Sequence, residues 1–146
     1  MNRMETALTF HDRGFNCCQS VLAGFADRLG IPEETALRLG AGFGSGAGTG
    51  ELCGALTGAI MALDLMFPAD LDNPVASKKQ AVQRAKRLQQ RFSERFGALR
   101  CRDLLRAEKE DPPETVASLR LGNHCAVMIA TAVELTQEML DEEKAG

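Results

Sequence analysis

At 146 residues the chain is long enough to fold around its own hydrophobic core, and we expect residues 1–146 to form a single helical domain. Its formal net charge of −3 and its lack of Trp and Tyr argue against nucleic acid as a partner, because phosphate is repelled and stacking side chains are scarce. The N-terminus lacks the apolar run of a signal peptide, and the longest apolar stretch, 52–67, is shorter than the about 20 residues of a membrane span. We therefore expect a cytoplasmic protein with no membrane partner.

The first forty residues show helical spacing of their apolar side chains and no alternating strand pattern. We predict a first helix over 4–11 and a second over 17–29, which Asn16 caps. Pro32 then starts a short helix that ends near Leu39. The apolar stripe of the second helix consists of Cys18, Leu22, Phe25 and Leu29.

A glycine-rich loop over 40–50 precedes the most apolar segment of the chain. We predict that this segment is a helix from Thr49 or Gly50 to about Met66, and that it is central and buried because it is apolar nearly all round. Small residues recur along it at intervals of four, at Gly50, Gly54, Gly58 and Ala62. Their strip would let another helix or a cofactor approach closely.

The second half of the chain predicts a long amphipathic helix over 75–96, with Val82 and Leu88 facing inward, and a short helix over 101–105. A further helical turn follows the break at 111–114, and Asn123 caps the last helix. Together the elements predict an all-α fold, a compact bundle of roughly five to six helices with a glycine-rich loop before a buried central helix.

One face of the long helix is basic. Its cationic residues are Lys78, Lys79, Arg84, Lys86, Arg87, Arg91 and Arg95. Such a run is typical of a solvated helix face. A second interpretation is a docking face for an acidic redox partner protein.

Four of the five cysteines fall where a helix is predicted to begin: Cys17, Cys53, Cys101 and Cys125. A helix N-terminus carries partial positive charge, which favours the thiolate form that attacks disulfides and binds metals. An odd number of widely spaced cysteines does not indicate a framework of structural disulfides, and no C-x-x-C pair is present. The pattern therefore indicates sulfur chemistry.

The four cysteines are candidates for two kinds of chemistry. As metal ligands they would make a tetrathiolate site for zinc or an iron–sulfur cluster. As catalytic residues they would exchange electrons as one or two dithiol–disulfide pairs, for which three pairings exist. The alternative is that they are structural thiols, since free cysteine packs as a small apolar residue.

Four further residues lie near these cysteines or could assist them. Cys18 lies on the apolar stripe, about 100° around the helix from Cys17, so we interpret it as a core thiol. His124 precedes Cys125 and is either an exposed capping-turn residue or a ligand or proton donor. Glu51 is expected to stabilise a helix dipole, with a catalytic role as the alternative, and His11 has no supporting residues around it.

Several segments carry a resemblance to one family. They are Asn16-Cys17-Cys18-Gln19-Ser20-Val21, the loop Gly42-Phe43-Gly44-Ser45-Gly46, and Glu51-Leu52-Cys53-Gly54-Ala55-Leu56-Thr57-Gly58-Ala59. In this order they resemble the family called putative redox-active protein, C_GCAxxG_C_C, over about 16–134. The core reads Cys53-Gly54-Ala55 where the family name has Gly-Cys-Ala. The resemblance implies that Cys17 is the first family cysteine, and that Cys101 and Cys125 are the two later ones.

The glycine-rich loop and the small-residue strip offer a second set of candidates. Backbone N–H groups at Gly44, Gly46, Gly54 and Gly58 could contact a cofactor, an anion or cluster sulfurs. The alternative is a tight connection between packed helices. Nucleotide binding is disfavoured, because the loop lacks the Lys-Ser/Thr ending of a P-loop and follows no strand.

The sequence thus predicts a redox-active protein, an oxidoreductase or an electron carrier, whose dispersed cysteines form one sulfur site. That site either binds zinc or an iron–sulfur cluster or cycles between dithiol and disulfide. The alternative is a non-enzymatic zinc-binding or helical interaction module with structural cysteines.

Overall fold

The computed structural model describes residues 1–107 and 110–145. Its helices are α1 (Arg3–Asp12), α2 (Cys17–Gly24), α3 (Glu33–Leu39), α4 (Gly54–Met66), α5 (Pro74–Phe96), α6 (Cys101–Leu104), α7 (Glu114–Ala117) and α8 (His124–Ala145). Within these described residues, an isolated antiparallel bridge between Leu52 and Arg100 is the sole β-type pairing. The prediction of an all-α bundle is confirmed.

The predicted central position of α4 is also confirmed. Its residues Leu56 and Leu63 are almost fully buried, and they belong to one core with Phe25 of α2, Phe92 of α5 and Ile129 of α8. The chain therefore wraps its amphipathic helices around its most apolar one, which removes the largest continuous apolar surface from water.

Two glycines let α4 approach α2 closely. A Cβ atom at Gly58 would lie 2.7 Å from the Cys18 carbonyl oxygen, and a Cβ at Gly54 would lie 2.8 Å from the Phe43 carbonyl oxygen. Distances this short are sterically forbidden, so only glycine fits at either position. The predicted strip of small residues therefore serves helix packing, and it brings the start of α4 against the start of α2.

The second helix is shorter than predicted. It ends at Gly24, where a Cβ would lie only 3.1 Å from Ala7 Cβ of α1, and the chain continues as a 3₁₀ turn over Ala26–Arg28. The N–H of Phe25 bonds to the Leu22 carbonyl, which is the tighter 3₁₀ pattern. The predicted apolar stripe is nevertheless buried along its whole length, from Cys18 to Leu29.

The predicted start of α4 at Thr49 or Gly50 is wrong. Residues 51–53 are extended instead, because the Cys53 N–H donates to the Leu99 carbonyl and the Cys101 N–H donates to the Glu51 carbonyl. This pairing with a distant segment delays the helix until Gly54, with Cys53 as its N-cap residue. It also places two of the four cysteines, Cys53 and Cys101, on adjacent paired segments.

The predicted loop over 40–50 contains an unusual turn. Ser45 and Ala47 have φ of 54° and 57°, in the left-handed region that non-glycine residues seldom adopt, and Gly46 and Gly48 between and after them do the same. The Glu51 N–H closes the turn by donating to the Gly46 carbonyl. The loop is therefore an ordered connection, folded back on the start of the extended segment.

The basic helix α5 buries Leu88, Phe92 and Phe96 as expected, but Val82 is 46% exposed and was wrongly predicted to face inward. Two of its cations hold the acidic end of α8, since Arg91 pairs with Glu142 at 2.7 Å and Arg87 pairs with Glu143 at 3.5 Å. Among the described residues, no helix combines the length and apolar character needed to cross a membrane.

Candidate functional site

The helix starts that carry cysteines meet at one cavity of about 240 Å³. Residues from α1, α2, α4, α6 and α8 and from the glycine-rich loop form its walls. The lining consists of His11, Asn16, Cys17, Ser45, Cys53, Gly54, Cys101, Leu104, Leu105, His124, Cys125 and Met128. All five cysteines of the chain are free thiols, and the four that were predicted as site residues line this cavity.

Each of these four cysteines stands at a helix start, as the sequence predicts. Cys17 is the first residue of α2, Cys53 is the N-cap of α4, Cys101 is the first residue of α6 and Cys125 is the second residue of α8. Three of these helices have eight or more residues, so their partial positive charges act on the same cavity. The helix charges favour thiolate, whereas burial acts against it and raises the pKa of Cys53 and Cys101.

Local hydrogen bonds explain the position of Cys17. Asn16 and Gln19 form a capping box, in which the Gln19 N–H donates to Asn16 Oδ1 at 2.8 Å and the Asn16 N–H donates to Gln19 Oε1 at 3.0 Å. Asn16 Nδ2 also donates to the carbonyls of Gly40 and Ala41. The cap therefore fixes the start of α2 and ties it to the glycine-rich loop.

The last helix is capped in a similar way. The Ala126 N–H donates to Asn123 Oδ1 at 3.0 Å, which confirms Asn123 as the predicted cap. His124 and Cys125 therefore lie in the first turn of α8, opposite the start of α2.

The closest relationship between the thiols joins α2 to α8. The Cys17 and Cys125 sulfurs lie within hydrogen-bonding reach of each other, and this side-chain interaction lowers the pKa of Cys125 to about 6. Positive charge on His124 and His11 acts in the same direction, while burial opposes it. The same hydrogen bond is the main cause that raises the pKa of Cys17, followed by burial. The pair therefore has one sulfur whose pKa is lowered, Cys125, and one whose pKa is raised, Cys17.

The other two thiols have a different character. Burial raises the pKa of Cys53 to about 11, although the backbone N–H groups of Ala55 and Leu56 act the other way. Burial also raises the pKa of Cys101, and the neighbouring Cys125 contributes in the same direction. Both are protonated when Cys125 is a thiolate, so a single negative charge occupies the cavity.

Both histidines of the chain line this cavity. His124 was one of the predicted candidates, whereas His11, which reaches the site from the end of α1, was not. His11 Nδ1 lies 3.2 Å from the Phe15 carbonyl oxygen. A carbonyl can only accept, so Nδ1 carries the proton and Nε2 is left for other partners. No local signal in the sequence marks His11, because its place depends on how α1 packs against α2 and α8.

Cys18 does not line the cavity. Its side chain is fully buried, and a Cβ at Gly40 would lie 3.1 Å from its sulfur. Burial raises the pKa of Cys18 to about 12, which keeps it a thiol. Its interpretation as a core thiol is confirmed.

Glu51 does not stand at a helix start, where it was expected to stabilise a dipole, and its catalytic role stays a prediction. Its carboxylate pairs with Arg102 and, at 3.5 Å, with Arg100, and the three side chains are about half exposed. Because residue 51 lies in the extended segment and α4 begins at Gly54, Glu51 does not occupy the first turn of a helix. It also does not line the cavity, so it fastens the 51–53 segment to the start of α6.

A Cβ at any of the four predicted cofactor-binding glycines would meet protein atoms closer than 3.0 Å. Gly54 lines the cavity, whereas Gly44, Gly46 and Gly58 do not. A Cβ at Gly44 would lie 2.8 Å from Asn16 Cβ, and one at Gly46 would lie 2.4 Å from the Glu51 nitrogen. These contacts give the glycines a packing role, and their contact with a cofactor stays a prediction.

In the described part of the chain, no three His, Cys, Asp or Glu side chains are arranged so that they could hold a metal ion. The four cysteines therefore share a cavity without forming a ready coordination shell. Their predicted role as metal ligands stays a prediction.

Of three comparisons with known proteins, one gave a match, and this match agrees with the cysteine pattern. Neither the curated proteins nor the solved structures gave a significant match. A family model matches residues 15–139, which include all four cysteines of the cavity. The chain therefore belongs to the family described as "Putative redox-active protein (C_GCAxxG_C_C)".

Proposed function

We propose that this chain is a thiol–disulfide oxidoreductase in which Cys125 is the attacking thiolate and Cys17 is the resolving thiol. The observation that carries the proposal is the hydrogen bond between these two sulfurs, which lowers the pKa of Cys125 to about 6. A thiolate with a pKa just below neutral is nearly fully ionised and still nucleophilic.

In the first step, the Cys125 thiolate attacks one sulfur of a substrate disulfide. A new S–S bond joins Cys125 to that half of the substrate, the substrate S–S bond breaks, and the other half leaves as a thiolate. The departing thiolate takes the proton of Cys17, which stands beside the reacting sulfur. The leaving half keeps the electron pair of the broken S–S bond, so it is the half that is reduced in this step.

In the second step, Cys17 attacks the Cys125 sulfur of the mixed disulfide. Its pKa is raised mainly by the hydrogen bond to the Cys125 thiolate, and that negative charge disappears once Cys125 is covalently bound. The start of α2 then favours the Cys17 thiolate. Attack forms the Cys17–Cys125 disulfide and expels the second substrate thiolate, which takes a proton from water. One disulfide is reduced to two thiols, and one protein dithiol is oxidised.

A reductant must then return the protein to the dithiol form. A thiol compound or a redox partner protein, as the sequence predicts, would supply the electron pair by the same exchange in reverse. The two remaining cavity thiols, Cys53 and Cys101, are protonated in this scheme and act as spectators at neutral pH.

The test is disulfide mapping. The reduced protein is treated with one equivalent of the thiol oxidant diamide, remaining thiols are alkylated at low pH, and peptides are identified without reduction. We expect the peptides of Cys17 and Cys125 to be joined, in the wild type and equally in Cys53→Ser and Cys101→Ser. Joining of another pair, or uniform alkylation of all thiols, would contradict the assignment.

A second candidate function has one observation in its favour, since four thiols line a single cavity. Four soft ligands suit zinc or an iron–sulfur cluster, and side-chain rotations would have to complete the shell. Metal analysis of anaerobically purified protein separates the two candidates. Stoichiometric zinc, or visible absorbance with bound iron, would favour the metal site. Metal-free protein in which all five thiols titrate after denaturation would favour dithiol exchange.

A further inference from the structure

The cavity has a rim and a floor. Ser45 and Leu105 line it and are exposed, with Leu105 64% accessible, so they form the rim. Cys53, Leu104 and Met128 line it with 5% or less of their surface accessible, so they form the floor. The site is therefore a recess in the surface.

The two reacting sulfurs belong to the wall between rim and floor. Cys17 and Cys125 are half-buried, and both line the recess. Thiol–disulfide exchange needs the attacking sulfur in line with the bond that breaks, because the electron pair enters the antibonding orbital of that bond. The S–S bond of a substrate must therefore enter the recess with one sulfur next to Cys125. The leaving sulfur then lies on the far side of that sulfur from Cys125.

The size of the recess limits what can enter. Its volume is about 240 Å³. Pockets for drug-sized ligands are larger, at about 300–1,000 Å³. An S–S bond with a few carbon atoms on each side fits in such a space. A disulfide held between two polypeptide segments of a folded protein carries backbone on both sides of the S–S bond, which is bulkier than the few carbon atoms that a recess of this volume accommodates.

We propose that the substrate of this site is a low-molecular-weight disulfide, admitted between Ser45 and Leu105, rather than a disulfide of a folded protein. The inference rests on the proposed thiol–disulfide function. It adds a substrate class, which the shape of the recess determines independently of the sulfur chemistry. Lining residues Leu104, Leu105 and Met128 give the recess apolar surface for the carbon atoms of the substrate.

The experiment compares two disulfides in single-turnover reactions of the pre-reduced protein. The probes are bis(2-hydroxyethyl) disulfide and insulin, a folded protein with reducible disulfides. Each rate constant is divided by the rate constant of dithiothreitol with the same probe. Because the thiols of dithiothreitol are sterically unhindered, this division removes the intrinsic reactivity of each probe disulfide. We expect the normalised rate for the small disulfide to exceed that for insulin about tenfold or more, the scale on which pockets discriminate by shape. Equal normalised rates, or faster reaction with insulin, would overturn the inference.

Variants at the rim make the test independent of overall reactivity. Leu105→Ala widens the recess, so we expect it to raise the normalised rate with insulin relative to the normalised rate with the small disulfide. Leu71→Ala is the matched control, because Leu71 is 89% exposed and lies outside the recess. An unchanged insulin rate in Leu105→Ala would count against a steric rim.

The outcomes also separate this inference from the proposed function. Formation of the Cys17–Cys125 disulfide with diamide, combined with equal rates for both probes, would refute the substrate class alone. Failure of the wild type to react with either probe and with diamide would refute both.

Discussion

Cys17 and Cys18 are neighbours in the chain, yet Cys17 lines the cavity of the sulfur site while Cys18 is fully buried against Gly40. Successive residues of an α-helix point about 100° apart, so one turn of α2 presents one thiol to the recess and the other to the core. The pKa of Cys18 is raised to about 12 by burial, whereas Cys17 is hydrogen-bonded to Cys125. The two thiols should therefore respond differently to substitution.

We predict that Cys17→Ser stops disulfide cycling and that Cys18→Ala does not. Without the resolving thiol, Cys125 remains trapped as a mixed disulfide with the first half of the substrate, which mass spectrometry detects as added mass. Cys18→Ala removes one buried sulfur and should cost about 1 kcal/mol of the free energy of unfolding. Chemical denaturation measures that cost.

The wild type treated in parallel is the control for trapping, since its mixed disulfide should resolve. Loss of cycling in Cys18→Ala with normal cycling in Cys17→Ser would mean that the roles of the two residues are exchanged. Retention of cycling in both variants would place the resolving thiol elsewhere in the cavity.

The pH dependence of alkylation tests the Cys125 thiolate. Below its pKa of about 6 the residue is a thiol and reacts slowly, and above it the thiolate reacts, so the rate of iodoacetamide modification should rise between about pH 5 and pH 7 and then level off. The modification rate of an ordinary cysteine would rise near pH 8.5. Cys17→Ala removes the largest cause of the lowered pKa, so its profile should shift to higher pH.

Cys101→Ala is the matched control for that shift. It removes a thiol from the same cavity, but Cys101 is not among the causes that lower the pKa of Cys125. Its profile should coincide with that of the wild type. An alkylation midpoint for Cys125 above about 8 in the wild type would contradict the hydrogen-bonded thiolate.

Local signals explain which parts of the site could be predicted from the sequence. Asn16 and Asn123 cap their helices through hydrogen bonds to residues three positions on, so the positions of Cys17 and Cys125 at helix starts were predictable. The buried stripe of α2 and the apolar α4 were predictable for the same reason, since helical periodicity is a short-range property.

Long-range contacts explain what could not be predicted. The start of α4 depends on the hydrogen bonds that join Cys53 to Leu99 and Cys101 to Glu51, and no short window of sequence contains both partners. The same pairing removes Glu51 from the helix start that the sequence indicated. His11 reaches the cavity through the packing of α1, which is likewise a tertiary effect.

The ion pairs of Glu51 lead to a prediction about stability. Glu51→Gln breaks its pairs with Arg100 and Arg102, but all three side chains are about half exposed, so the loss of free energy of unfolding should stay below about 1 kcal/mol. Disulfide cycling should persist, because Glu51 does not line the cavity. Thermal denaturation and disulfide mapping measure the two effects. Loss of cycling in a variant that remains folded would restore a catalytic role for Glu51.

The close approach of α4 to α2 leads to the last prediction. A Cβ at Gly58 would lie 2.7 Å from the Cys18 carbonyl oxygen and 3.2 Å from Cys18 Cα, and backbone atoms cannot move aside cheaply. Gly58→Ala should therefore destabilise the protein by about 1–3 kcal/mol, even though alanine is the better helix former. Forcing α2 away from α4 should also weaken the hydrogen bond between Cys17 and Cys125, so the alkylation midpoint of Cys125 should move to higher pH.

Gly122→Ala is the control for this prediction, because a Cβ there meets no atom within 4 Å and the residue does not need a positive φ. Its free energy of unfolding should stay within about 0.5 kcal/mol of the wild type, and its alkylation profile should not move. The informative result is the combination of both readouts in Gly58→Ala. Lower stability with an unmoved Cys125 midpoint would mean that the thiol pair does not depend on the spacing between α2 and α4. Unchanged stability would mean that the two helices can separate at little cost, and that glycine at position 58 is not what holds the start of α2 in place.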